Sequence, residues 1–136
     1  MSIMEPYSRD PIPLKVDDTA SLVVDAAFCV HRELGPGLLE SAYEACLVDE
    51  LRRRGAVVKT QVSMPITYKG TELKDAYRID LLVNDCLVVE VKSIESILPV
   101  HKAQLLTYLK FSGYRLGLLI NFNNTLLKNG IKRIIR

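Results

Sequence analysis

The sequence predicts an α/β domain built on a central mixed sheet, and three features predict it. Two early segments repeat their apolar residues at helical spacing. From Ala56 onward the pattern changes to the short β-branched and apolar runs of strands. A third helical segment then separates the strand run from a last buried strand, an order that suits helices packed on a sheet.

The first helix is read from Leu22, Val23, Ala26, Ala27, Val30 and Leu34, with Asp17, Asp18 and Thr19 supplying N-cap chemistry ahead of it. Gly35-Pro36-Gly37 ends it, because Gly35 suits a left-handed closing position and Pro36 cannot continue a helix. The second helix starts near Leu38 or Leu39, with a stripe of Leu39, Ala42, Tyr43, Cys46, Leu47 and Leu51. Arg52, Arg53 and Arg54 favour its negative end, and Gly55 stops it. Val57, Val58, Thr60 and Val62 read as one strand, and Ile66, Thr67 and Tyr68 as another after Pro65. Lys69-Gly70 forms a turn, Leu73 to Val83 a long strand, Asn84-Asp85 a turn, and Leu87 to Lys92 a strand apolar enough for burial on both faces. A helix from about Val100 to Ser112, closed by Gly113, leads to a buried strand at Leu116 to Ile120 and an edge strand at Ile131 to Arg136.

With 136 residues, 49% hydrophobic and 25% charged, the chain has the composition of one globular domain. Residues 1–15, rich in proline, are expected to form a flexible N-terminal arm, and 16–136 a single domain. No apolar run approaches the roughly 18 residues of a membrane span, and the N-terminus lacks the apolar core of a signal peptide, so a cytoplasmic location is expected. Cys29, Cys46 and Cys86 lack metal or disulfide spacing and read as small buried hydrophobes. A net charge of +2 is compatible with nucleic acid without arguing for it. Lys128, Lys132, Arg133 and Arg136 crowd the C-terminus, where a solvated charge run is the plainer reading.

Chemistry is concentrated where apolar strands carry charge. Asp80 interrupts Tyr77-Arg78-Ile79-Asp80-Leu81-Leu82-Val83, and Glu90 and Lys92 interrupt Leu87-Val88-Val89-Glu90-Val91-Lys92. Two residues apart on a strand, Glu90 and Lys92 share a face. A buried carboxylate and ammonium cost several kcal/mol each unless paired, which marks them as used. Register decides whether Asp80 joins them. A two-residue turn at Asn84-Asp85 would place Asp80 opposite Val89, facing away from Glu90, whereas a three-residue loop or a bulge places Asp80 opposite Glu90. The second arrangement is expected, with Cβ atoms roughly 5 Å apart, a separation at which a divalent cation relieves the repulsion.

Asp80 followed by Glu90-Val91-Lys92 resembles the D…ExK signature of the PD-(D/E)xK nuclease superfamily. Gly37-Leu38-Leu39-Glu40-Ser41-Ala42-Tyr43 matches a GxxExxY motif, and Leu22 to Arg136 resembles the bacterial GxxExxY family within it. Gln104 and Tyr108 resemble a QxxxY element of related branches, while Ile79 replaces the usual proline before the aspartate. The resemblance implies a restriction-endonuclease-like α/β core and a Mg²⁺- or Mn²⁺-dependent nuclease acting on DNA or RNA. It implies Glu40, Asp80, Glu90 and the Val91 carbonyl as metal ligands, and Lys92 as the group that activates water and steadies phosphate. Gln104 and Tyr108 would line the site. Tyr43 lies in the apolar stripe and reads as core. His31 and His101 lack a ligand-spaced partner. Two other classes remain open: a non-catalytic module of the same fold docking on nucleic acid or a partner protein, and a junction-resolving homodimer joined through Ile131, Ile134 and Ile135.

Overall fold

The computed structural model describes residues 10–136. Among them the order is α1 (Leu14–Leu34), α2 (Glu40–Arg53), β1 (Val58–Tyr68), β2 (Thr71–Val83), β3 (Leu87–Lys92), α3 (Pro99–Ser112), β4 (Leu116–Asn121), a 3₁₀ turn (Leu127–Gly130) and β5 (Ile131–Ile135). The sheet has the order β1-β2-β3-β4-β5, antiparallel except where β3 runs parallel to β4. The helix α3 makes that parallel connection, as a crossover requires.

Two apolar clusters clamp the sheet. Helices α1 and α2 bury Val23, Ala26, Ala27, Tyr43, Leu47 and Leu51 against Leu81, Val89, Val91 and Ile120 on one face. On the other, Leu105 and Leu109 of α3 meet Ile79, Leu82, Val88 and Leu119. Strands β3 and β4 are therefore covered on both faces, as their continuous apolar runs require.

Several local expectations change. Helix α1 begins at Leu14 behind Pro13, a turn before the expected cap residues. Those residues serve tertiary contacts instead: Asp17 pairs with Arg133, and the buried Thr19 hydroxyl accepts from the Asn84 amide at 3.3 Å. Of the segment expected as an arm, residues 1–9 lie outside the described residues; the Asp10 carbonyl accepts from Arg115 and Ile12 packs on the core. The two strands expected around Pro65 are one strand, β1, with a register shift between Met64 and Ile66. Proline has no N–H for the ladder, and β1 is an edge, so a bulge absorbs it. Cys46 is exposed rather than buried, and Cys29 and Cys86 are only partly buried. Leu39, expected in the apolar stripe, is 78% exposed. Of the C-terminal isoleucines only Ile135 is exposed, since Ile131 and Ile134 pack against the two clusters.

Tyr43 is wholly buried, stacked on Phe122 with ring centroids 4.8 Å apart. Its hydroxyl donates to the Gly35 carbonyl and accepts from the Leu38 N–H at 3.1 Å. The Leu38 carbonyl in turn accepts from Ser93, just past β3, at 2.6 Å. The loop ahead of α2 is thereby tied to the end of β3. Tyr43→Phe is expected to lower stability by about 1–2 kcal/mol, because two main-chain groups lose a shared partner while the ring still packs. Urea denaturation at equilibrium measures it.

Candidate active site

The site is built where β2 parts from β3. Strand β2 pairs with β1 from Thr71 to Val83, but with β3 only at Leu81↔Val89, Leu82↔Val88 and Val83↔Leu87. Asn84, Asp85 and Cys86 make the loop, so the three-residue register expected from the sequence is the one observed. Asn84 and Asp85 both take left-handed backbone, at φ 51° and 53°, a conformation these residue types tolerate. Continued by one residue, the register sets Asp80 opposite Glu90.

No ladder bond is made at that step. Instead the Asp80 N–H donates to Glu90 Oε1 at 3.2 Å, and the Val91 N–H donates to Asp80 Oδ2 at 3.0 Å. Each carboxylate thus takes the place of a missing ladder carbonyl. A slip in alternation turns Asp80 into the gap. Ile79 and Leu82 both belong to the α3-side cluster while Leu81 faces the other helices, so one extra residue, Asp80, falls between the two faces. Strand β1 slips with it, since Val58 faces α1 and α2 while Val62 faces α3.

Glu90 is 6% exposed. Burial, then the charge of Asp80, pushes its carboxyl up to about 8, with Lys92 pulling weakly the other way. Val88 packs toward α3, so Glu90 and Lys92, two and four residues on, project from that same face. Tyr108 of α3 stands over them: burial raises its hydroxyl pKa, the charges of Glu90 and Asp80 raise it further, and a hydrogen bond with Gln104 opposes the rise. Its ring stacks on Tyr77 at 4.5 Å between centroids, and Tyr77 donates to the Tyr108 carbonyl at 3.2 Å. The projecting part of β2 is thereby pinned to α3.

Glu40 opens α2 and is exposed. It lines a cleft of about 490 Å³ with Leu39, Ser41, Glu44, Gln61 and Asp80. Among the described residues no three of His, Cys, Asp and Glu stand close enough to enclose a cation, so Asp80 and Glu90 act as a pair and Glu40 stands on the rim. Both residue types are hard oxygen donors, and the gap aims the Val91 carbonyl the same way as its N–H, because a strand residue sends both to one edge. Two carboxylates and a carbonyl, with like charges already in conflict, fit a divalent cation.

Sequence reasoning missed Glu44, Gln61 and Asn121. Glu44 is half-buried, with its carboxyl raised by burial and by the charges of Asp80 and Glu40, against a hydrogen bond from Gln61. Asn121, fully buried and paired with Lys92 in register, accepts from the Ile94 N–H at 3.0 Å and donates to the Ile94 carbonyl at 2.9 Å. It fixes the chain leaving Lys92. An isolated asparagine at a strand end carries no sequence signal for such a role. The histidines are structural: His101 Nδ1 accepts from the Leu98 N–H at the start of α3, and His31 bonds the Asn124 carbonyl at 2.8 Å.

A mixed sheet clamped by helices, with paired carboxylates and a lysine at the parting of two strands, makes this an α/β domain of restriction-endonuclease-like fold. The family model of the PD-(D/E)XK nuclease superfamily matches residues 17–134, and the chain belongs to that superfamily. No curated protein and no solved structure gives a match. No helix among the described residues is long and apolar enough to cross a membrane.

The raised carboxyl of Glu90 sets a pH dependence of stability. Between about 4.5 and about 8 the folded chain holds a proton that the unfolded chain releases. Stability therefore falls as pH rises through that window. Without divalent ions, Glu90→Gln is expected to match the parent near pH 5 and exceed it by roughly 1–3 kcal/mol near pH 9. Denaturation curves across that range decide it; parallel pH profiles would contradict the assignment.

Proposed function

We propose that the chain is a divalent-cation-dependent nuclease hydrolysing phosphodiester bonds of DNA or RNA, with Asp80, Glu90 and Lys92 at its centre. The observation that carries this reading is the meeting of the Asp80 and Glu90 carboxylates in the gap between β2 and β3. Nucleases of the superfamily generally use divalent metals. On this reading Asp80, Glu90 and the Val91 carbonyl hold Mg²⁺ or Mn²⁺, with Glu40 approaching from the rim. The bound ion supplies a lowered water pKa and neutralises phosphate charge.

The chain's own residues do the rest. Lys92, on the strand face of Glu90, holds a positive charge beside the carboxylates and steadies negative charge on the phosphate or orients the attacking water. Tyr108 and Gln104, one turn apart on α3, form the α3 wall of the site and meet the nucleic-acid backbone. The motif Gly37…Glu40…Tyr43 supports reading the chain as a GxxExxY-type member of the superfamily. In that motif Tyr43 anchors the loop, which leaves Glu40 as its one group at the cleft.

One observation favours a second reading. Each carboxylate already accepts a main-chain amide, so the pair is satisfied as a structural element of a non-catalytic module binding nucleic acid or protein.

Purified protein with single- and double-stranded DNA and RNA in Mg²⁺ or Mn²⁺ separates the two. Cleavage is expected, falling at least about a hundredfold in Asp80→Ala and in Lys92→Ala. Cleavage that persists in both variants would be foreign to this site, and nucleic-acid binding without cleavage would favour the module.

A further inference from the structure

Thr60 pairs with Leu81 and Val62 with Ile79, so Gln61 of β1 stands directly opposite Asp80. Inside this strand Gln61 takes φ 51°. Left-handed backbone strains a residue with a Cβ, and such strain persists where surrounding contacts hold it. The contacts are specific. Gln61 Nε2 donates to Glu44 Oε1 at 3.0 Å and Oε2 at 3.2 Å, and reaches Asp80 Oδ1 at 3.5 Å. Carboxylates only accept, so the amide must turn its NH₂ toward both acids. Glu44 and Asp80 repel each other across this contact. Asp80 is held at its other oxygen by the Val91 N–H.

We propose that Gln61 is a positioning residue for the cation-binding pair: a latch that ties α2, through Glu44, to the free side of the Asp80 carboxylate. The inference rests on the reading of Asp80 and Glu90 as cation ligands. It assigns Glu44 a part as well, as the anchor that keeps the amide aimed at Asp80. Without the amide, Asp80 loses a restraint on its rotamer and faces an unscreened neighbour of like charge. The outer partners of a metal-ligating carboxylate set its orientation, and their loss weakens the site.

The kink makes a discriminating test possible, because glycine accepts φ near +50° without strain. Gln61→Gly removes the latch while relieving the backbone, so thermal stability should hold or rise. Calorimetric titration of the full chain with Mn²⁺ at fixed pH should nevertheless show binding weakened by about tenfold. Glu44→Gln should weaken binding too, and the double variant should be no weaker than Gln61→Gly alone, as for one coupled unit. Should the glycine variant fail to fold, Gln61→Asn carries the same test: asparagine tolerates the left-handed backbone, but its amide is one methylene short of the bridge. Parent-like Mn²⁺ affinity in the folded variants, or fully additive losses, overturns the latch while leaving the cation site standing. A parent chain that takes up no Mn²⁺ overturns the cation reading itself, and the latch with it.

Discussion

Two main-chain amides, of Asp80 and Val91, lose their ladder partners where β2 turns away from β3, and buried N–H groups cannot go unpaired without a penalty of about 1–3 kcal/mol each. The acids beside them supply the acceptors, each reaching across to the opposite strand's amide. This reciprocal pairing keeps the gap open and lines it with carboxyl oxygens. A straight continuation of the ladder would have used both amides internally and left the side chains on the sheet faces. The site exists because the hairpin parts from the sheet at a residue whose side chain can replace a carbonyl.

Holding two acids in a nearly dry gap opposes folding, and the surroundings show what offsets it. Strands β3 and β4 are buried on both faces, so the segment carrying Glu90 is among the best packed in the chain. The chain on either side of the gap is fixed by side chains that bind main-chain groups in pairs. Tyr43 and Ser93 take the N–H and carbonyl of Leu38, and Asn121 takes both groups of Ile94. Gly130 lets the chain pass close to Asn121, since a Cβ there would lie 2.5 Å from the Asn121 carbonyl oxygen. Glu40 and Lys92 are thus approached by backbone with little freedom to drift, which is how loops support precise chemistry.

What the sequence made legible follows from which rules are local. Charges in apolar strands and period-two logic reduced the register to two choices. The turn residues at 84 and 85 alone suit the one that separates Asp80 from Glu90. The expectation that the two acids meet selected the other, in which Cys86 joins the loop. The start of α1 was misplaced because Asp17 and Thr19 look like caps, yet tertiary partners, Arg133 and Asn84, claim them. Pro65 suggested a break between strands, whereas an edge strand tolerates it with a bulge. Glu44 and Gln61 were invisible for a different reason. Glu44 is one acid among several on an exposed helix, and glutamine has no preference for left-handed backbone that would mark position 61. Only the joint slip of β1 and β2 brings them to Asp80.

The oxygens themselves limit what the pair can hold. Oε1 of Glu90 and Oδ2 of Asp80 are bound to main-chain amides, and Oδ1 of Asp80 is touched at 3.5 Å by Gln61. Oε2 of Glu90, Oδ1 of Asp80 and the Val91 carbonyl are the donors left to face an ion. On the nuclease reading these three oxygens would hold a divalent cation, and Glu40 and Glu44 would be the further acidic groups beside it at the cleft. Such an ion would supply a lowered water pKa for hydrolysis. Burial first, and then the charge of Asp80, lift the Glu90 carboxyl to about 8, and a proton there relieves both. With the Glu90 carboxyl protonated the two acids share one negative charge rather than two, which is the state that favours the fold.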